Sequence, residues 1–357
     1  MHPGKRLKFL CEQAAFTFRL TICLGFAFLQ LNASAETFDC FPADTANYSE
    51  LLDKAGVYPD SFFKHCQYED VLFGVDVRSA VIVRLDKNLN KSLEFGGRGQ
   101  GPGELSFVRD VAAGQKHIYV LDGNRVHIFL LNGRFQNSIS LDGITNRLAA
   151  IAVDEEETRL LLLGVFSPQL TVLDLETQKP VLQVDLPVFR EANSTRNYRL
   201  DRSVGAFWKD YILVARMSFP ELLVYSRAGK LLHTMPLIPD RTNVAQRLSS
   251  YLETALDVGP DEPLPMIMRQ LHTTKNGVDA LTGGYIARVN LETWTVNYFL
   301  LYQPVSEHSR PDMLKDNVVK NGHYPGLVLS GGWWVDSLFI GVMSGEHCHA
   351  YKLTAAQ

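Results

Sequence analysis

The sequence predicts an all-β protein, a six-bladed β-propeller of four-stranded antiparallel blades with short helical insertions on one face. Short apolar runs rich in Val, Ile, Leu, Phe and Tyr recur along the chain, and polar turns that suit hairpins separate them. The repeats start at residues 71, 117, 159 and 211, with the last near residue 337. A period of about 40 to 55 residues with four strands per unit is typical of propeller blades.

Each regular repeat supplies three strands of a blade and follows an inner strand. Inner strands are predicted at Val108 to Ala113, Leu148 to Val153 and Ser203 to Trp208. The last repeat ends with a third strand, His347 to Leu353, shortly before the end of the chain. Because an open ring leaves an unpaired sheet edge, we expect residues 36–41 to pair with that last strand and close the ring.

Longer insertions separate the outer strand of one blade from the inner strand of the next, and we expect them to form a partial lid on one face. One of them contains apolar residues at helical spacing, which predicts a helix over residues 244–256. The insertions cover residues 42–64, 188–200, 239–262 and 303–323.

Residues 95–135 carry the most specific pattern. A turn with Gly101-Pro102-Gly103 precedes Ile118-Tyr119-Val120 and Asp122, and Asn132-Gly133-Arg134-Phe135 follows after another apolar run. This stretch resembles one repeat of the NHL and related bacterial six-bladed propellers. The resemblance implies the fold. It implies no activity, because the channel residues of the calcium-dependent lactonases and the zinc-dependent lyase of this type have no match here.

The first 35 residues have the layout of a secretory signal peptide. A basic leader precedes the apolar run Leu20 to Leu31, and Ala33-Ser34-Ala35 provides a small-residue cleavage site before Glu36. We therefore expect an exported, periplasmic or extracellular protein in which residues 36–357 form a single propeller domain. The twelve apolar residues are too few to span a bilayer comfortably, and an uncleaved anchor is the alternative interpretation of the leader. No later segment is long and apolar enough to be a transmembrane helix.

The net charge of −4 provides no basic surface for nucleic acid, so no nucleic-acid partner is expected. The predicted partners are a protein, a peptide or a small anionic ligand, bound by a monomer.

Arginines recur just before or at the start of the inner strands. Guanidinium groups around a partly desolvated channel mouth would bind a carboxylate, sulfate or phosphate through paired hydrogen bonds. The alternative is that each arginine pairs with a nearby acid and only ties neighbouring blades together. The candidate ligand-binding residues are Arg109, Arg147, Arg202 and Arg269.

His347 and His349 lie two residues apart in the last strand, so both side chains would point to the same face and could share a metal ion. No third ligand is near them in sequence, and ordinary packing or surface histidines are the favoured interpretation. No cofactor is predicted, although the sequence leaves open whether the channel holds a metal ion.

Cys40, Cys66 and Cys348 remain after removal of the leader. If residues 36–41 pair with residues 347–353, a Cys40–Cys348 disulfide would join the two ends of the domain. Cys40–Cys66 is the alternative pair.

The sequence contains no Gly-x-Ser-x-Gly, HExxH or phosphate-binding loop motif. Two functions therefore stay open. The first is a binding scaffold for a protein, peptide or small anionic ligand at the channel mouth. The second is a propeller hydrolase or lyase with its active site in the central channel.

Overall fold

The computed structural model is an all-β β-propeller. It describes residues 35–40, 62–76, 79–144, 147–187, 202–217, 220–239, 268–282, 285–304, 323–325, 329–335, 338–343 and 348–352. These residues form strands and turns, and none of them belongs to a helix that could cross a membrane.

Five blades of four antiparallel strands are present, four of them as separate sheets and the fifth within a six-stranded sheet. Within each blade the strands follow one another in sequence order from the inside outwards. The first blade consists of β2 (Phe62–Tyr68), β3 (Val71–Asp76), β4 (Val81–Leu85) and β5 (Lys91–Gly96). The second consists of β6 (Val108–Ala113), β7 (His117–Asp122), β8 (Arg125–Leu130) and β9 (Phe135–Ser140). The third consists of β10 (Leu148–Val153), β11 (Arg159–Gly164), β12 (Leu170–Asp174) and β13 (Pro180–Val184). The fourth consists of β14 (Ser203–Trp208), β15 (Tyr211–Arg216), β16 (Glu221–Ser226) and β17 (Leu231–Pro236).

The fifth blade carries two additional strands. Its own strands are β18 (Met268–Thr274), β19 (Gly277–Thr282), β20 (Tyr285–Asn290) and β21 (Thr295–Pro304). The N-terminal strand β1 (Glu36–Cys40) pairs in parallel with β21, and β22 (His323–Pro325) pairs with the end of β21. A further sheet has three strands, β23 (Leu329–Val335), β24 (Leu338–Met343) and β25 (Cys348–Lys352).

The inner strands make a closed circle around the channel. Neighbouring inner strands contact each other in the order β2, β6, β10, β14 and β18, and β23 contacts both β18 and β2. The predicted inner strands of the second, third and fourth blades are confirmed with the same boundaries, as are the predicted starts of β3, β7, β11 and β15.

The hydrophobic core lies between the blades. One cluster joins Phe73 and Ile82 of the first blade to Val111, Ile118 and Phe129 of the second. Equivalent clusters join the second blade to the third, the third to the fourth and the fourth to the fifth. Both faces of a blade are therefore buried, which is why the middle strands are apolar at nearly every position.

Two parts of the predicted architecture are wrong. The structure has five four-stranded blades, whereas six were expected, because the last sheet has only three strands. The expected pairing of residues 36–41 with the last strand also does not occur, since Glu36 lies opposite Asn297 and Cys40 opposite Leu301. The physical reason is that β21 leaves an open outer edge, and a short extended segment can complete that edge as well as the edge of the last sheet.

The pairing of β1 removes the basis for a Cys40–Cys348 disulfide. Cys348 lies opposite Val342, in a strand that does not pair with β1. In the part of the chain that the structure describes, Cys66 is a free cysteine, so the alternative Cys40–Cys66 pair is absent as well.

The predicted helix over residues 244–256 lies outside the described residues, and so does most of the predicted lid. The signal peptide also lies outside them. The insertion predicted at residues 42–64 overlaps β2, which begins at Phe62.

Candidate functional site in the central channel

The inner strands of the five blades line a cavity of about 190 Å³ in the channel. Most of the wall is small or apolar, formed by residues such as Ala112, Ala152 and Ala206. The polar groups come from the first, second and fifth blades. They are Lys64, His65, Gln67, Asp110, Arg269, Gln270, His272 and Thr273.

Asp110 is the only carboxylate among the described residues of the cavity wall. It accepts a hydrogen bond from the backbone N–H of Ile151 at 2.9 Å, and the ammonium group of Lys64 lies 3.7 Å away. Burial raises the pKa of Asp110, and Lys64 together with the Ile151 N–H opposes that effect. Asp110 therefore links three inner strands, and its negative charge is already balanced within the wall.

Arg269 provides a second cation. It lies at a β-bulge between Met268 and Gln270, where the register of β18 shifts against β19. Arg109 lies at an equivalent register shift in β6, between Val108 and Asp110, but is not among the described residues of the cavity wall, so the bulge alone does not place Arg269 there. With Lys64 and Arg269 set against Asp110, the described wall carries more positive than negative charge.

His272 connects the cavity to a polar row that crosses the fifth blade. His272 lies opposite Asp279, and Asp279 lies opposite Arg288 on the next strand. Arg288 donates two hydrogen bonds to the buried Asp279 carboxylate, from Nε at 2.8 Å and from a terminal nitrogen at 3.0 Å. Burial lowers the pKa of His272, the Asp279 carboxylate opposes this effect and Arg288 adds to it. The result is a neutral imidazole beside a fixed carboxylate.

Cys66 also lines the cavity. Burial raises the pKa of its thiol, and the negative charge of Asp110 raises it further. The thiol therefore stays protonated at neutral pH, which argues against a nucleophilic role.

The structure separates the four predicted arginines. Arg269 lines the channel cavity, whereas Arg109, Arg147 and Arg202 are not among the described residues of its wall. Arg109 donates to the carbonyl of Leu148 in the next blade at 3.2 Å and lies over the Phe107 ring at 5.0 Å.

The other two arginines lie near the start of their inner strands. Arg147 is exposed, has a positive φ of 49° and lies 5.8 Å from the centre of the Phe166 ring. Arg202 is half-buried, and its carbonyl accepts the N–H of Met217. Sequence reasoning missed Lys64, because residues 42–64 were assigned to an insertion, whereas Lys64 lies in the inner strand β2.

Among the described residues, no group of three or more His, Cys, Asp or Glu side chains could hold a metal ion. Of the predicted histidine pair, His347 lies outside the described residues and His349 lies in β25 opposite Gly341.

The buried His127 and the half-buried His272 predict a pH-dependent stability. Burial lowers the pKa of His127 and of His272 below the ordinary value of 6.5, although Asp122 and Asp279 respectively oppose the shift. Below about pH 6.5 the unfolded chain therefore binds protons that the folded protein does not.

We accordingly expect the free energy of unfolding to fall as the pH is lowered from about 7.5 to 5.5, as measured by urea denaturation. The double variant His127→Gln/His272→Gln should lose most of this slope. An unchanged slope in that variant would show that other groups cause the pH dependence.

No family model matches the chain, and no curated protein matches it. Among solved structures, a Bacteroides fragilis protein classed as exported matches with 12% identity and a TM-score of 0.50, over 85% of this chain and 88% of that one. A protein of unknown function from Bacteroides thetaiotaomicron matches with 10% identity and a TM-score of 0.52, over 84% of this chain and 70% of that one.

The virginiamycin B lyase of Staphylococcus aureus matches with 9% identity and a TM-score of 0.49, over 83% of this chain and 96% of that one. At these identities the likeness concerns the fold alone. The chain is a β-propeller similar in structure to bacterial propeller proteins.

Proposed function

We propose that this protein is an exported β-propeller that acts as a binding scaffold for a small anionic ligand at the channel. The observation that supports this proposal is the composition of the cavity wall. Lys64 and Arg269 line it, whereas its one described carboxylate, Asp110, already accepts the N–H of Ile151 and lies near Lys64.

An anion fits this wall for two physical reasons. A carboxylate or phosphate can accept from a guanidinium and an ammonium group at once, and such charge-assisted hydrogen bonds are about twice as strong as neutral ones. The apolar side chains around them lower the local dielectric constant and strengthen the interaction further. His65, Gln67, Gln270 and Thr273 supply additional polar groups that can orient the ligand.

The predicted sites at Arg109, Arg147 and Arg202 fit a supporting role in this proposal. They lie at the start of inner strands, outside the described wall of the cavity, where their charge would attract an anion towards the channel. The exported location is part of the proposal and comes from the signal-peptide layout of residues 1–35.

The test compares two substitutions at one position. Arg269→Met removes the charge, and Arg269→Lys keeps the charge but loses the planar pair of donors. With inorganic phosphate and citrate as probes at low salt, we expect Arg269→Met to weaken binding by about tenfold or more and Arg269→Lys to weaken it less.

Lys91→Met is the matched control, because Lys91 forms an exposed ion pair with Glu94 away from the channel. Isothermal titration calorimetry provides the dissociation constants. If the wild type binds neither probe, or if Arg269→Met binds both as well as Lys91→Met does, the proposal is wrong.

A specific observation supports a hydrolase or lyase as the second candidate. His272 lines the cavity, and the carboxylate of Asp279 lies opposite it, so a neutral imidazole beside a fixed carboxylate could serve as a general base. An esterase and lactonase assay with the wild type and His272→Gln separates the two functions. Turnover that disappears in His272→Gln would favour the enzyme, whereas phosphate binding without turnover favours the scaffold.

A further inference from the structure

A second and larger cavity lies in the second blade, apart from the channel. Its volume is about 570 Å³, and it lies between the Gly-rich connection of residues 99–104, the turn after β7 and the outer strand β9. None of the described residues of its wall also lines the channel cavity. Three carboxylates, one imidazole and one aromatic ring of the wall could contact a ligand. They belong to Glu104, Asp122, Asp142, His127 and Phe135.

The Gly-rich connection forms one wall of the cavity and is held in place by hydrogen bonds. Gly99 donates its N–H to the carbonyl of Leu105 at 3.1 Å, and Leu105 donates to the carbonyl of Gly97 at 2.8 Å. The Glu104 carboxylate folds back onto the connection and accepts the N–H of Gly101 at 2.7 Å. A Cβ at Gly99 would lie 2.0 Å from the Glu104 carboxylate, so glycine is what allows this side chain to lie against the backbone.

His127 is the unusual residue of this cavity. Its side chain is 8% exposed, and its Nε2 lies 3.6 Å from the Asp122 carboxylate. Burial lowers the pKa of His127, so its imidazole is neutral and carries one proton. Because a lone pair on Nε2 would repel the carboxylate, the proton belongs on Nε2. The buried Nδ1 is then an acceptor, and it has no hydrogen-bond partner.

The carboxylates of the cavity differ in how many further hydrogen bonds they can accept. Asp122 is buried and already accepts from the backbone N–H groups of Ser106 and Phe107 and from the Ser106 hydroxyl. Glu104 is exposed and accepts one hydrogen bond, at a single oxygen. Asp142 is exposed and accepts from Asn124 and Ser140 at different oxygens, so each of its oxygens has a lone pair left.

The cavity wall is therefore rich in acceptors and negative in charge. Among the described residues of the wall, Glu104, Asp122 and Asp142 are accompanied by one cation, the exposed Arg125, while His127 is neutral. The half-buried Phe135 lies beside His127, with ring centres 5.9 Å apart, and presents an aromatic surface. Such a surface attracts a cation held over it and also covers an attached alkyl chain.

We propose that this cavity binds a primary ammonium group carried on a short apolar chain, as in an alkylamine or a lysine side chain. An ammonium group has three donors and no acceptor, which complements the remaining lone pairs of Glu104 and Asp142. The unpaired Nδ1 of His127 adds an acceptor within the wall behind them. The alkyl part packs on Phe135. An anion is disfavoured here by the carboxylates, and a neutral alcohol gains the same packing without the electrostatic attraction.

The test uses three probes of equal chain length on the full protein: n-butylammonium, n-butanol and butyrate. Dissociation constants are measured by ligand-observed NMR titration at low salt. We expect n-butylammonium to bind about tenfold or more tightly than n-butanol, and butyrate not to bind at this cavity. Comparable binding of n-butanol would indicate a merely apolar pocket and would overturn the proposal, as would the absence of n-butylammonium binding.

The double variant Glu104→Gln/Asp142→Asn keeps the shape of both side chains and removes both charges. It should weaken n-butylammonium binding by about tenfold or more. Glu94→Gln is the matched control, because Glu94 is an exposed carboxylate of the first blade that does not line this cavity. Thermal unfolding of each variant shows that the fold is retained. Equal binding by the double variant and the control would contradict the assignment of the site.

Discussion

Replacing Glu221 by alanine is expected to lower the free energy of unfolding by about 3–5 kcal/mol. The Glu221 carboxylate lies 2.6 Å from Nε of Arg216, whose side chain is only 3% exposed. Arg216 also donates to the carbonyl of Pro187. Without Glu221, the guanidinium charge stays buried in the fourth blade and loses the Glu221 carboxylate, which is why the expected loss exceeds the net contribution of the ion pair.

Urea denaturation of the wild type and Glu221→Ala measures this effect. Glu94→Ala serves as the control, because it breaks an exposed ion pair with Lys91 that solvent screens, and it should cost only about 0–1 kcal/mol. Equal losses in the two variants would mean that the burial of Arg216 does not determine the cost.

Replacing Phe129 by alanine is expected to cost about 3–5 kcal/mol of unfolding free energy. The Phe129 ring is 1% exposed and lies 5.1 Å from the ring of Phe95 in the first blade and 5.6 Å from that of Phe135 in its own blade. The substitution therefore removes buried area and leaves a cavity where two blades meet. Because those blades share one apolar cluster, both should be weakened together.

The control is Phe107→Ala, which removes the same atoms from a residue that is 59% exposed. Phe107→Ala should change the free energy of unfolding by no more than about 0.5 kcal/mol. Hydrogen exchange adds a second measurement. Faster exchange in β3 and β8 together would support the shared core, whereas faster exchange in β8 alone would speak against it.

Local signals in the sequence predicted the blades well. The boundaries of β6, β10 and β14 match the prediction. Turn residues such as Asn132-Gly133 and Gly229 mark the hairpins between the two outermost strands of the second and fourth blades. Gly133 and Gly229 both have a φ of 80°, which favours glycine and makes such turns visible in a sequence.

The partner of β1 could not be predicted in the same way. Residues 36–40 form a short strand that suits any open sheet edge, and which edge is open depends on the whole ring. The charged residues of the channel were only partly predictable for a related reason. Arg269 and Arg109 both lie at register shifts at the start of their inner strands, yet only Arg269 is among the described residues of the cavity wall. The alternation of apolar and polar residues gives no signal that distinguishes the two positions.

The acceptor-rich cavity of the second blade was not predicted at all. Val126, His127 and Ile128 look like an ordinary half-buried strand with one polar residue facing solvent. In the structure both faces of the blade are covered, so His127 is buried beside Asp122. The Gly-rich turn that carries the NHL-like motif supplies the other side of the cavity. The spacing of its glycines in the sequence does not indicate where the Glu104 side chain points.

The pairing of β1 with β21 has a consequence for the order of folding. Almost the entire propeller lies between these two strands in sequence, so β1 cannot reach its place until the fifth blade has been synthesised and formed. Closing so long a loop costs entropy before any contact repays it, and long-range pairing of this kind slows folding. The first blades can pack against each other while β1 is still unpaired. Docking of Glu36–Cys40 along Asn297–Leu301 should then be among the last steps, and until it happens β21 offers an open edge to other chains.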